Sequence, residues 1–187
     1  MNPSMRERLL AAATELFYAQ GLRAVSADRI IERVGTTKVT FYRHFRTKDD
    51  LIVAYLEHSA ALDRQAVERA VAGADGDVDA ALRLIGEEIG RTVCGPGFRG
   101  CAFLNAAAEY PDPDSPVRGV VDAHRAWYRK TYDRLLAPLG LPDQATATEA
   151  LLLLRDGAMI AGYLGEPSGT ADAFLRGCRG VIHGGGR

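Results

Sequence analysis

Apolar residues recur along this chain at helical spacing, and the alternating runs that a strand needs are scarce. The first face carries Leu9, Ala12, Ala13, Leu16 and Phe17 between a possible N-cap, Ser4, and a stop signal, Gly21, which predicts a helix over Ser4–Gln20. Ser26 can cap a short second helix through Val34, with Ile30, Ile31 and Val34 apolar. Gly35 breaks it, and Thr37 can cap a third helix through His44 with Val39 and Tyr42 on one side. A long helix over about Asp49–Val71 carries Leu51, Ile52, Tyr55, Leu56, Ala60, Leu62 and Val67. Five more helices are predicted at about 78–93, 100–109, 115–137, 143–165 and 169–183, separated by Gly- and Pro-rich loops.

The helix at 143–165 is apolar over most of its circumference through Ala150–Leu154 and Ala158–Ala161, so it needs cover on several sides, from this chain or from a second copy. The tail from Gly184 to Arg187 is expected to fray. No repeat of solenoid length stands out. The fold class this implies is all-α, with a helix-turn-helix domain over 1–48, a long joining helix, and a helical domain over 49–187.

Composition changes the picture little: 47% apolar and 25% charged residues in 187 describe a globular chain with a proper core. No apolar run is long enough to span a bilayer, and the N-terminus lacks the apolar block of a secretory signal. Three cysteines without a CxxC pair (Cys94, Cys101, Cys178) fit reduced thiols, and a cytoplasmic location is expected. Charge is more informative. The net charge is −1, but residues 1–48 hold nine Lys/Arg against four Asp/Glu, while the remainder holds fourteen against twenty. A basic front on an acidic body points to an anionic partner at one end, although clustering by chance gives the same arithmetic.

The two short helices flanking Gly35 have the spacing of a helix-turn-helix, with Ile30, Val34, Val39 and Tyr42 expected to pack the pair together. The second would offer Thr36, Thr37, Lys38 and Thr40 to a DNA major groove. Arg23, Arg29, Arg33, Arg43, His44, Arg46 and Lys48 surround them as phosphate donors.

The stretch from Arg8 to Leu56 resembles the TetR family of bacterial transcriptional regulators, through Leu9, Ala12-Ala13, Leu16-Phe17, Gly21, Ser26, Ile30, Val34-Gly35, Thr37, Thr40–Phe45, Lys48 and Leu51. It departs from the common pattern at Ile31 and Val34, where Ala is frequent, and at Thr36, where an apolar residue is usual. The segment Cys101–Pro111 looks like a subgroup of the same family. The resemblance implies that Tyr42, His44 and Lys48 contact phosphate and that Thr37, Lys38 and Thr40 face bases. The interface set is thus Ser26, Thr36, Thr37, Lys38, Thr40, Tyr42, Arg43, His44 and Lys48. Tyr42 packing into the core and His44 capping its helix are the alternatives; Phe41 and Phe45 are expected in the core.

The resemblance also implies a double-stranded DNA operator, a small-molecule effector bound in the helical body, homodimerisation through the last two helices, and repression as the usual outcome. The helix at 115–137 brings His124 close to an apolar stripe, either as a satisfied core histidine or as a polar anchor in a pocket. Phe98, Phe103, Asn105, Glu109, Trp127, Tyr128, Met159 and Tyr163 complete the candidate lining, each of the apolar ones equally fitting ordinary core. No cofactor, metal or membrane is expected: catalytic signatures are absent, and the four histidines have no metal-ligand spacing. One alternative is a redox-sensing regulator, since Cys94 and Cys101 lie seven apart with Arg91 and Arg99 nearby.

Overall fold

The computed structural model describes residues 3–184, and among these the chain forms nine α-helices and no strand. They are α1 Met5–Gln20, α2 Ala27–Val34, α3 Lys38–His44, α4 Lys48–Gly73, α5 Val78–Val93, α6 Ala102–Glu109, α7 Pro116–Leu136, α8 Gln144–Leu164 and α9 Thr170–His183. Short 3-10 turns at Ala137–Leu139 and Pro167–Gly169 flank α8. The tail expected to fray lies, beyond Gly184, outside the described residues. No described helix is long and apolar enough to cross a membrane.

Local chemistry sets the helix starts. Ser4 and Glu7 form a reciprocal capping box at α1, the Ser4 hydroxyl accepting from the Glu7 amide while the Glu7 carboxylate accepts from the Ser4 amide. Thr47 and Asp50 repeat that exchange at α4, both bonds at 3.0 Å. Ser26 and Thr37 cap α2 and α3 through their hydroxyls. Gly35 closes α2 in the left-handed region at φ 68°, its amide and that of Thr36 both returning to the Ile31 carbonyl.

Packing divides the chain into two compact units, with α4 and α7 each contributing to both. The first takes the described residues of Met1–Ala61 together with Ala102–Asp122, so α6 belongs with the helix-turn-helix. Its core is Leu9, Ala13, Phe17, Leu22, Val25, Ile30, Ile31, Phe41, Phe45, Leu51, Ile52, Tyr55 and Leu56. Full burial of a side chain such as Phe41 contributes roughly 1.5–3 kcal/mol. Phe41 and Phe45 are core as expected, but the packing role expected of Val39 and Tyr42 is corrected. Val39 is 81% exposed and Tyr42 49%. With α3 held to α2 through Phe41, the helix turn rotates Val39, two positions earlier, away from the core.

In the second unit, α5, α8 and α9 pack on one another. Their core includes Leu82, Ile85, Ile89, Val93, Leu151, Leu152, Phe174, Cys178 and Ile182. Close approach depends on glycine: a Cβ at Gly162 would stand 2.5 Å from Val93 Cβ, and one at Gly177 2.7 Å from Leu154 Cδ2. The apolar circumference of α8 is only partly covered within the chain. Leu153 is 66% and Leu164 76% exposed, and Ile160 and Tyr163 are also open to solvent.

Candidate nucleic-acid and effector sites

The exposed face of α3 carries Lys38, Val39, Tyr42 and Arg43, with Thr36 and Thr40 half-buried beside it. Thr37, Thr40, Ser26 and Lys38 have defined local partners. The Thr37 hydroxyl accepts from the Thr40 amide at 3.2 Å and shares a 3.0 Å hydrogen bond with the Thr40 hydroxyl, so it fixes the start of the helix. The Ser26 hydroxyl accepts from the Arg29 amide at 3.2 Å. The Lys38 ammonium pairs with Asp28 of α2 at 2.9 Å, and this pairing raises its pKa above the ordinary lysine value. Arg33 pairs with Glu15 at 3.0 Å, and Arg8 donates to the Val34 carbonyl at 2.8 Å, tying α1 to the end of α2.

Lys48 is half-buried, and its ammonium donates to the Val25 carbonyl at 2.9 Å and the Arg23 carbonyl at 3.4 Å. Burial lowers its pKa below the ordinary value. It therefore braces the loop before α2 as well as standing among the basic residues. His44 ends α3 half-buried, with Nε2 shielded from water and unpartnered. Sequence reasoning missed Val39 as a surface residue: its alternation with Thr37 and Phe41 gave no cue to its direction, which only α3's docking fixes.

The candidate effector residues are divided between the two units. Phe103, Asn105 and Glu109 fall in the first unit, and Asn105 is exposed there. The Glu109 carboxylate oxygens receive the Leu22 and Arg23 amides at 2.9 and 2.7 Å. Tyr163 is exposed. Phe98 is half-buried and Met159 buried, both in the second unit.

His124, Trp127 and Tyr128 do come together in that unit, around a carboxylate that the sequence reading did not single out. Asp63 Oδ2 receives the Tyr128 hydroxyl at 3.0 Å and Arg155 Nη2 at 3.3 Å, and His124 Nε2 lies 3.1 Å away. The Arg155 guanidinium stands 4.3 Å over the Tyr128 ring, reaches Asp156 at 3.3 Å and Cys101 Sγ at 3.8 Å, and leaves its Nε buried without a hydrogen-bond partner. Arg125 pairs with the far side of Asp156. Burial works to raise the Asp63 carboxyl, but hydrogen bonding from His124 and the charge of Arg155 outweigh it and hold the pKa below the ordinary value. Burial lowers the His124 pKa against the opposing pull of Asp63, so the ring is neutral at pH 7. The available signals were a lone arginine inside the apolar run Leu151–Met159 and an aspartate at the apolar spacing of Leu56, Ala60 and Val67.

Cys94 is exposed at the end of α5, whereas Cys101 and Cys178 are buried, burial pushing the Cys178 thiol up to about 12. The cation against Cys101 is Arg155; Arg91 pairs with Glu88 on its own helix. Among the described residues no group of three or more His, Cys, Asp or Glu could hold a metal ion.

Comparison with known proteins adds independent information. Residues 9–55 match the family described as bacterial regulatory proteins, tetR family. The structure is similar to that of SCO4454, a TetR-family transcriptional regulator from Streptomyces coelicolor, with 46% identity, a TM-score of 0.89, and coverage of 96% of this chain and 94% of that one. Over 52 residues the chain is 40% identical to the HTH-type transcriptional activator FasR of Mycolicibacterium smegmatis, matching 28% of this chain and 24% of that protein. Over 118 residues it is 26% identical to the HTH-type transcriptional repressor NemR of Escherichia coli, matching 63% of this chain and 59% of that protein.

Proposed function

Since the chain belongs to the TetR family of transcriptional regulators, we propose that it is a cytoplasmic repressor that binds a palindromic operator as a homodimer and releases it when a small molecule occupies its helical body. The observation that carries the operator reading is the outward face of α3, where Val39 and Tyr42 stand exposed among Lys38, Arg43 and Arg46 with no carboxylate on that helix. A cation there can donate to guanine O6/N7, an exposed valine can meet a thymine methyl, and the flanking arginines hold the backbone.

One seven-residue helix reads few base pairs, so useful affinity calls for two copies on half-sites about 34 Å apart. The open apolar face of α8, continued by a groove of about 710 Å³ along α9, supports pairing through these two helices. Footprinting of the purified protein on its native chromosomal DNA tests the reading. Two protected half-sites one turn apart are expected; affinity independent of sequence, with a steep salt slope, would mark an architectural binder instead.

The effector reading is supported by the Asp63–His124–Tyr128–Arg155 cluster, a polar centre in an apolar body with one donor still unpartnered. A ligand that prefers the body conformation with displaced recognition helices lowers operator affinity by its differential binding. The continuity of α4 through both units supports it as the link.

A second reading, redox regulation through Cys94 and Cys101, is favoured by the placement of the Arg155 guanidinium 3.8 Å from Cys101 Sγ. Loss of operator binding under mild peroxide, prevented by Cys101→Ser, supports that reading; unchanged binding removes it.

A further inference from the structure

We propose that Glu109 and Tyr110, at the C-terminal end of α6, are positioning residues for operator reading: they clamp the loop before α2 and so set the angle at which α2 and α3 are presented. The inference rests on the operator-binding reading above.

The loop Gly21–Val25 leaves α1 and runs directly into Ser26, the cap of α2. Beyond Gly21, whose amide still returns to the Phe17 carbonyl, its peptide groups lie outside any helix ladder and need acceptors and donors from elsewhere. Glu109 supplies one carboxylate oxygen to each of two successive amides, Leu22 at 2.9 Å and Arg23 at 2.7 Å. Charge-assisted bonds of this kind are short and directional, and paired as a fork they fix orientation as well as distance. Gly21 makes the approach possible: its φ is 95°, and a Cβ there would press to 3.2 Å from Glu109 Oε1.

The next residue completes the clamp. The Tyr110 hydroxyl donates to Asp49 Oδ1 at 2.9 Å, in the first turn of α4, and its ring lies 5.5 Å beneath the Arg23 guanidinium. The Arg23 peptide is then held from both ends, its N–H by Glu109 and its C=O by Lys48, while Lys48 also holds Val25. Two segments distant in sequence, the end of α6 and the start of α4, are thereby tied to Leu22, Arg23 and Val25 of the loop. None of this belongs to the DNA-facing surface of α3, yet every bond acts on the entry to the helix-turn-helix.

α6 is eight residues long, about 12 Å from end to end. The residue immediately before it is Cys101, whose Sγ is 3.8 Å from Arg155 Nη1.

The test uses the full-length chain and two duplexes: the palindrome protected by the wild-type protein in chromosomal footprinting, and a scrambled sequence of equal length. Glu109→Gln should lower affinity for the palindrome about tenfold while affinity for the scrambled duplex stays within about twofold, because phosphate contacts survive but base contacts lose register. In the free protein, the Leu22 and Arg23 amide resonances should shift and exchange with solvent faster. Tyr110→Phe, which keeps the ring and removes only the bond to Asp49, should reduce discrimination in the same direction. If Glu109→Gln retains full discrimination, or if both duplexes weaken equally in step with a lower melting temperature, the clamp is only structural and the proposal fails. If the wild-type protein protects no palindrome, the operator reading fails and this inference with it.

Discussion

Lys38 shows how a single residue can be placed for recognition and yet be occupied. In the free protein its ammonium pairs with Asp28 across the two short helices, both side chains well exposed. An exposed pair of this kind contributes little, so a guanine edge or a phosphate can displace it. Lys38→Ala should cost about 1–3 kcal/mol of operator binding and relax preference at one base position. Asp28→Asn should instead free the cation, raising affinity for every duplex by about 0.2–1 kcal/mol. Titration of both variants against matched and mutated operators checks this; a Lys38→Ala protein with unaltered base preference would move the reading head elsewhere on α3.

At the scale of elements, the helix-turn-helix depends on its corner. Gly35 sits at φ 68° with nothing within 4 Å of where a Cβ would stand, so an added side chain would meet no atoms but would hold a non-glycine residue in the left-handed region. Gly35→Ala is expected to destabilise the protein by about 1–2 kcal/mol for that backbone reason alone. Urea denaturation reads it directly, and an unchanged midpoint would mean that the corner had relaxed. The elements themselves were legible in the sequence because caps and periodicity act within a few residues: Ser26, Gly35 and Thr37 each sit where a helix starts or stops. Orientation was not legible. Val39 and Tyr42 share a side with apolar spacing, yet Phe41 took the core position and turned them to solvent.

For the whole molecule, the open face of α8 and the buried charge cluster make separate predictions. Leu153→Glu places a charge on a surface that the single chain leaves exposed, so the protomer should keep its stability while the proposed dimer dissociates. Light scattering should show the monomer mass, with operator affinity falling as half-sites are bound singly; a persistent dimer would put the interface elsewhere. His124 predicts a pH dependence. Its pKa in the folded protein is depressed, so the unfolded chain binds the proton more readily, and stability is complete above the ordinary value of 6.5 and declines as pH falls below it. Asp63, also depressed, adds its loss further down, below its ordinary 3.8. Melting temperatures from pH 7.5 to 5 should fall, and His124→Phe should flatten that slope; an equal slope in the variant would assign the effect to other groups.

The sequence by itself determined the helices, their caps, the corner at Gly35 and the membership of a DNA-reading family, because each depends on interactions between residues close along the chain. Only the tertiary structure decided which side chains point inward and which distant groups meet. Glu109 finds its amides 87 and 86 residues away, and Arg155 finds Asp63 at a separation of 92. Such pairings leave no period in the sequence. They arise when helices dock, and docking is governed by the shape and burial of whole faces rather than by any local run of residues.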